Sequence, residues 1–150
     1  LTYKKESHIK GVILNRMSPM LYLEVKSRVV TVRTVPAGTP VSYGRTNVLQ
    51  RQTRLAVVPI GYGDGYCRGF SNRLSVLFPG GQAPVTGRVC MDMCMVDVTD
   101  LPEVTEGSVA VIYGHTENGE QPVEAGATVM NTISYELLCV LTRRIPRIYR

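Results

Sequence analysis

Tryptophan is absent from the 150-residue sequence and phenylalanine occurs only twice, so its aromatic bulk rests on eight tyrosines. Each phenol combines apolar area with a hydroxyl that can donate, accept and titrate. Lysine is scarce as well: Lys4, Lys5, Lys10 and Lys26 are all there is. The four cysteines, Cys67, Cys90, Cys94 and Cys139, form no CxxC pair, and only His8 and His115 could add nitrogen ligands. That ligand set argues against structural zinc, and no metal is expected. No secretory signal pattern opens the chain, and the cysteine spacing is not that of a small stapled scaffold. Reduced thiols and a cytoplasmic location are therefore the expectation. Apolar runs such as "LAVVPI" fall far short of the ~20 residues that cross a bilayer. With no basic amphipathic helix either, this segment is not expected to touch a membrane. The chain starts with Leu1 rather than Met, which suggests a piece of a longer protein.

What is present suits a single domain over residues 1–150, since a chain near this length buries about 68–70% of its unfolded surface. Hydrophobic residues at 44% and charged residues at 19% are ordinary globular values and exclude wholesale disorder. Period-two alternation dominates. In "LYLEVK", Leu21, Leu23 and Val25 point one way and Tyr22, Glu24 and Lys26 the other, as in a half-buried strand. "SRVVTVRTV" continues in β-rich composition until Pro36, Gly38 and Pro40 interrupt it. Further strands are predicted at 55–60, 74–78, 85–90, 94–98 and 109–113, with "PGG" at 79–81 as a hairpin turn between the second and third of these. Short strands broken by Gly and Pro predict a mainly β fold, a closed antiparallel barrel-like domain. One or two short helices come near the C-terminus, where Val129, Ile133, Leu137 and Val140 or Leu141 recur at helical spacing. Asn131, Thr132 and Ser134 are placed to split that pattern, and Pro146 ends it, leaving "RIYR" extended.

Two stretches invite chemistry. "GYGDGY" at 61–66 is glycine-dense, yet it has neither the GxGxxG nor the Gly-Lys-Ser/Thr spacing of a phosphate loop. A tight turn is the simpler account, although a tyrosine set among the glycines is harder to dismiss. "CMDMCM" at 90–95 places Cys90 and Cys94 on one face of either a helix or a strand. A regular strand would turn Met91, Met93 and Met95 to the opposite face, and adaptable packing is the usual role of methionine.

Four blocks taken together, "SRVVTVRTVPAGTPVSYGRT", "LAVVPIGYGDGY", "GRVCMDMCMVDVTD" and "NTISYELLC…RIPRIYR", resemble the C-terminal domain of the alanine racemases over about residues 21–150. The resemblance implies a missing N-terminal barrel that holds pyridoxal 5'-phosphate (PLP) through a Schiff-base lysine. None of the four lysines here lies in the matching blocks, so an isolated fragment is expected to be inactive. It implies two bases on opposite faces of the substrate: the lysine of the barrel, and the tyrosine of "VSYG", Tyr43. It further implies that Tyr62 narrows the substrate entrance and that Arg68, Arg88 and Asp92 lie along the same corridor, with Ile133 nearby. The backbone N–H of Met91 meets the substrate carboxylate, and Tyr135 hydrogen-bonds the cofactor phosphate. Finally, it implies a homodimer in which Tyr43, Tyr62 and Met91 serve the partner's active site and Tyr135 serves that of its own subunit.

Two positions depart from the family pattern: Gly63 stands where alanine or serine is usual, and Met93 where glutamine is usual. The small amino-acid substrate, alanine or serine, stays open. The competing reading starts from the net charge of +5 and the cluster "TRRIPRIYR". It is a standalone β-barrel module that binds an acidic partner or nucleic acid through Arg143, Arg144, Arg147 and Arg150. The spread of the other basic residues along the chain speaks against nucleic acid.

Overall fold

The computed structural model describes residues 10–15 and 22–149. In chain order the strands are β1 (Lys10–Asn15), β2 (Tyr22–Arg28), β3 (Thr31–Val35), β4 (Pro40–Val41), β5 (Asn47–Val48) and β6 (Thr53–Val58). There follow β7 (Ser75–Phe78), β8 (Gly81–Pro84), β9 (Cys94–Asp97), β10 (Val109–Thr116) and β11 (Gly119–Gln121). Two helices, α1 (Val123–Met130) and α2 (Ser134–Cys139), precede β12 (Arg147–Tyr149).

The larger sheet runs β12-β1-β2-β10-β7-β8 with β11 paired to β10, and a three-stranded sheet runs β3-β6-β9. All pairings are antiparallel except β1 with β12. The mainly β, antiparallel expectation is met. Among the described residues the ladders form three sheets, the third being the β4-β5 pair, and not one continuous ring.

Register follows from burial. In the β6–β9 ladder Ala56 faces Val96 and Val58 faces Cys94, and all four side chains are buried, while Leu55–Asp97 and Val57–Met95 occupy the outer face. A slip of one residue would exchange these faces, so the pattern pins the pairing. Strand β10 lies inside the larger sheet, and Ala110, Val111, Ile112 and Tyr113 are all buried, as expected for a strand covered on both sides. Phe70 and Tyr66 meet at a tilt of 54° with ring centroids 5.0 Å apart in the same core. Helix α1 approaches them through Gly126: a Cβ there would lie 3.0 Å from Leu137 and 3.2 Å from Phe70 and the Tyr113 hydroxyl.

Several sequence expectations shift by a residue or two at their ends; two change more. The strand predicted at 85–90 does not form. The chain returning from the Pro79–Gly80 turn pairs as β8, and Val85 adds only one bridge, to Val96. Residues 87–89 leave the sheet because other acceptors take their N–H groups: Asn72 Oδ1 for Gly87 (2.6 Å) and Ser71 Oγ for Val89 (2.9 Å). The helical pattern does split, at Asn131, whose left-handed φ of 54° caps α1, with the Thr132 N–H donating to the Ala127 carbonyl (2.9 Å). However, α1 starts at Val123, earlier than the periodicity suggested. The extended "RIYR" becomes β12 over Arg147–Tyr149; Arg150 and Leu21 lie outside the described residues.

Candidate active site

Pro40 and Val41 form the short strand that delivers Tyr43 to a one-turn 3-10 segment, Tyr43–Arg45. Ser42, just before it, has φ 63° and ψ −173°, a region that non-glycine residues seldom adopt. Its hydroxyl donates to the Arg88 carbonyl (2.6 Å) and lies 3.4 Å from Cys90 Sγ, and Val41 is buried. Tyr43 is 69% exposed. A rigidly tied backbone thus carries an exposed tyrosine.

The second segment is the 61–64 turn. Gly61 is required by contact with its neighbour, since a Cβ there would overlap the backbone of Cys90 and Met91. The Tyr62 N–H donates to the Cys90 carbonyl (3.0 Å) and the Gly63 N–H to the Met91 carbonyl (2.9 Å). The buried Asp64 carboxylate closes the turn by accepting the Gly61 N–H (3.0 Å). Tyr62, 47% exposed, is thereby held beside Met91.

The third segment, 90–93, is a turn in which Cys90 donates to the Met93 carbonyl (2.9 Å), and strand β9 starts only at Cys94. The regular strand that would have put the methionines opposite both cysteines is therefore absent. Met91 and Met93 are exposed, Cys94 is fully buried, and Cys90 is half-buried against Ser42. The Met91 N–H donates to no acceptor among the described residues. Ser42, Tyr43, Cys90, Met91, Asp92, Met93 and Met95 line one open cleft of about 390 Å³.

The arginines predicted for this region lie on its flank. The guanidinium of Arg88 rests over Gly44, where a Cβ would come within 3.0 Å of Nη1. That places a cation one residue from Tyr43. Exposed Arg68 opens a 3-10 turn that Ser71 fastens to the same stretch, donating to the Arg68 carbonyl (2.5 Å) while accepting from Val89. Asp92 does not pair with either of them. Its partner is Arg144, which the sequence reading had placed in a basic tail. Arg147 from the same cluster is also turned inward, donating to the carbonyls of Leu141 (2.9 Å) and Ile145 (2.6 Å) behind α2. Two of the four arginines of the nucleic-acid reading are thus committed to contacts within the chain.

Ile133 and Tyr135 are elsewhere. They line a second cleft, of about 540 Å³, with Glu124, Ala127, Thr128, Thr132, Ser134 and Leu138. Tyr135 is 76% exposed and Ile133 64%. The polar groups of this cleft are hydroxyls and one carboxylate, with Ser134 donating to Glu124 (3.1 Å). The glycine turn is joined to the segment that follows α2 by the Thr142 N–H on the Asp64 carbonyl (3.0 Å).

Ser42, Asp64 and Arg144 were not singled out as site residues from sequence. The "VSYG" and "GYGDG" blocks contain the first two, but their roles depend on contacts with residues 88–92 and 142–144. All four cysteines are free. No helix among the described residues is long and apolar enough to cross a membrane.

Comparison with known proteins identifies the family and the fold. The family model described as "Alanine racemase, C-terminal domain" matches residues 22–149. The alanine racemase of Halothermothrix orenii is 42% identical over 140 residues, covering 92% of this chain and 36% of the relative. That of Desulforamulus reducens is 42% identical over 147 residues, covering 98% and 38%. The crystal structure of alanine racemase from E. faecalis superposes with a TM-score of 0.81 at 36% identity, covering 85% of this chain and 34% of that one. The alanine racemase from Bartonella henselae with covalently bound pyridoxal phosphate gives a TM-score of 0.80 at 36% identity, covering 85% and 35%. The chain spans a little over a third of the length of these curated relatives. It belongs to the alanine racemase family, whose C-terminal domain it matches from Tyr22 to Tyr149.

Proposed function

We propose that this chain is the C-terminal part of a PLP-dependent amino-acid racemase acting on alanine or serine in the cytoplasm, in which Tyr43 exchanges the α-proton on one face of the substrate. The observation that carries this reading is the shared cleft. An exposed tyrosine held by a fixed turn borders the same hollow as the Met91 N–H, which is available to a ligand carboxylate.

PLP fits these residues only in part. Tyr135 can donate a hydrogen bond to a phosphate oxygen, but its cleft has no lysine or arginine to balance a dianion. Lys26 is paired with Glu24 (2.8 Å), and this reading takes the Schiff-base amine from another segment of the full-length protein. PLP, when bound, spreads the negative charge left by α-proton removal.

The chain's own residues then have distinct tasks. The Met91 N–H fixes the substrate carboxylate, since a backbone N–H binds an anion without adding a titratable group. Tyr43 holds a proton at its phenolic oxygen and passes it to, or takes it from, the substrate. Arg88, whose guanidinium rests over Gly44, sits beside the turn that carries Tyr43. Tyr62 narrows the approach. The two separate clefts suit a homodimer in which the Tyr43 cleft faces the partner's barrel and the Tyr135 cleft faces its own.

The test is Tyr43→Phe in the full-length protein, with α-proton exchange followed separately from each enantiomer. We expect a loss of at least a hundredfold in abstraction from one enantiomer and a much smaller loss from the other, the general acid–base contribution being about 10²–10⁴-fold. Full rates in both directions would overturn the role of Tyr43.

A further inference from the structure

Arg144 lies in the turn between α2 and β12, where a solvated surface charge would be the default. It is instead placed between two carboxylates on two different site segments. Its Nη2 donates to Asp92 Oδ1, and its Nε lies 3.6 Å from Oδ1 of the fully buried Asp64. Asp64 belongs to the turn that carries Tyr62, and Asp92 follows Met91. The guanidinium occupies the space beside Gly63, so that a Cβ at 63 would overlap Arg144 Nη1 and approach the Met91 carbonyl to 3.0 Å. The neighbouring Thr142 hydroxyl donates to the Gly63 carbonyl (3.0 Å), which fixes the backbone from which Arg144 projects.

The contact with buried Asp64 has a structural role, since it faces a carboxylate that is out of solvent, but the exposed arm of the clamp to Asp92 needs another reason. The Arg144 and Asp92 side chains are 44% and 53% exposed, so solvent and salt screen their attraction and it adds little to stability. Its effect on a ligand is larger in kind. Asp92 is adjacent to the N–H that is read as receiving a substrate carboxylate, and an uncompensated carboxylate there would repel it. Close like charges in a partly desolvated cleft interact more strongly than in bulk water.

We propose that Arg144 is a positioning residue that keeps Asp92 neutralised and holds the Tyr62 and Met91 segments in register, so that substrate affinity depends on it although it does not touch the substrate. Glycine at 63 is the other half of the device, because it leaves room for the guanidinium. The proposal rests on the reading of the Met91 cleft as the carboxylate site.

The experiment uses the PLP-loaded full-length protein with L- and D-alanine and L-serine as probes. Wild-type racemisation is measured first, and its absence would count against the function proposed above as well as this inference. Arg144→Met is expected to raise KM about tenfold while kcat stays within about threefold, with Arg144→Lys in between. The decisive variant is Arg144→Met with Asp92→Asn: removing the unpaired charge is expected to bring KM back to within about threefold of wild type, with the KM of Arg144→Met alone falling as ionic strength rises. A purely structural brace would not be rescued by deleting its partner. Gly63→Ala keeps both charges and displaces the guanidinium, so it serves if Arg144→Met fails to fold. It is expected to raise KM in the wild-type background and to add nothing when Arg144 is methionine. An unchanged KM in Arg144→Met or Gly63→Ala, or a double variant no better than Arg144→Met, overturns the proposal.

Discussion

Ser42 offers the sharpest physical test of how the site is held. Its backbone, at φ 63° and ψ −173°, lies in a region that costs about 1–3 kcal/mol for a residue with a Cβ. Against this stands the 2.6 Å hydrogen bond from its hydroxyl to the Arg88 carbonyl, with a net value of about 0.5–1.5 kcal/mol. Ser42→Ala removes the bond and keeps the strain, so stability should fall by about 1 kcal/mol, or about 2–4 °C in Tm for a domain of this size. Ser42→Gly removes the bond and the strain together, with about 0.5–1 kcal/mol returned to the unfolded chain as glycine entropy. It should melt within about 2 °C of wild type and above the alanine variant. Thermal melts of the full-length proteins, with proton exchange from each enantiomer as a second readout, decide the matter. If the glycine variant melts below the alanine variant, backbone strain at 42 is not what the hydroxyl opposes.

The other predictions concern the frame around the cleft. Gly61→Ala drives a methyl into the backbone of Cys90 and Met91, and overpacking of that kind should cost about 1–3 kcal/mol and raise KM, as read by denaturant melts and substrate titration. Cys94 is fully buried, and desolvation pushes its thiol from the ordinary 9.0 up to about 12. The unfolded thiol therefore ionises above about pH 9 while the folded one keeps its proton. The folded state binds the extra proton, so this contribution to stability is intact below pH 9 and is lost as pH rises towards 12, at about 1.4 kcal/mol per pH unit. Burial raises the phenols of Tyr66 and Tyr113 as well, which adds to the alkaline loss. A denaturation series in alkaline buffers should show this slope, and a thiol reagent at neutral pH should label exposed Cys139 first and Cys94 only on unfolding.

Much of the frame was readable from side-chain alternation, because β6 and β9 each bury every second residue and the pattern admits one register. The strand predicted at 85–90 failed for a reason alternation cannot report: Ser71 and Asn72, well separated in sequence, take the N–H groups a ladder would have used. The early start of α1 was hidden because Gly126 and Ala127 meet the core through small side chains, which leave a weak periodic signal. At the site, family resemblance picked out Tyr43, Tyr62, Met91 and Tyr135 from their blocks. The ion pair of Asp92 with Arg144 was not legible, since Arg144 reaches it only through the turn after α2. Nor was the positive φ of Ser42 legible, because serine carries no mark of that conformation.

The parallel pairing of β12 with β1, with Val12 opposite Arg147 and Leu14 opposite Tyr149, has a bearing on synthesis. A ribosome makes the two strands more than a hundred residues apart, so β1 must wait with one flank of amide and carbonyl groups uncovered until β12 emerges. Arg144 stands just ahead of β12. The clamp across the cleft and the cover over β1 are therefore completed together, in the final moments of translation of the described segment, and a nascent chain stalled before them would present both an adhesive sheet margin and an unfinished site.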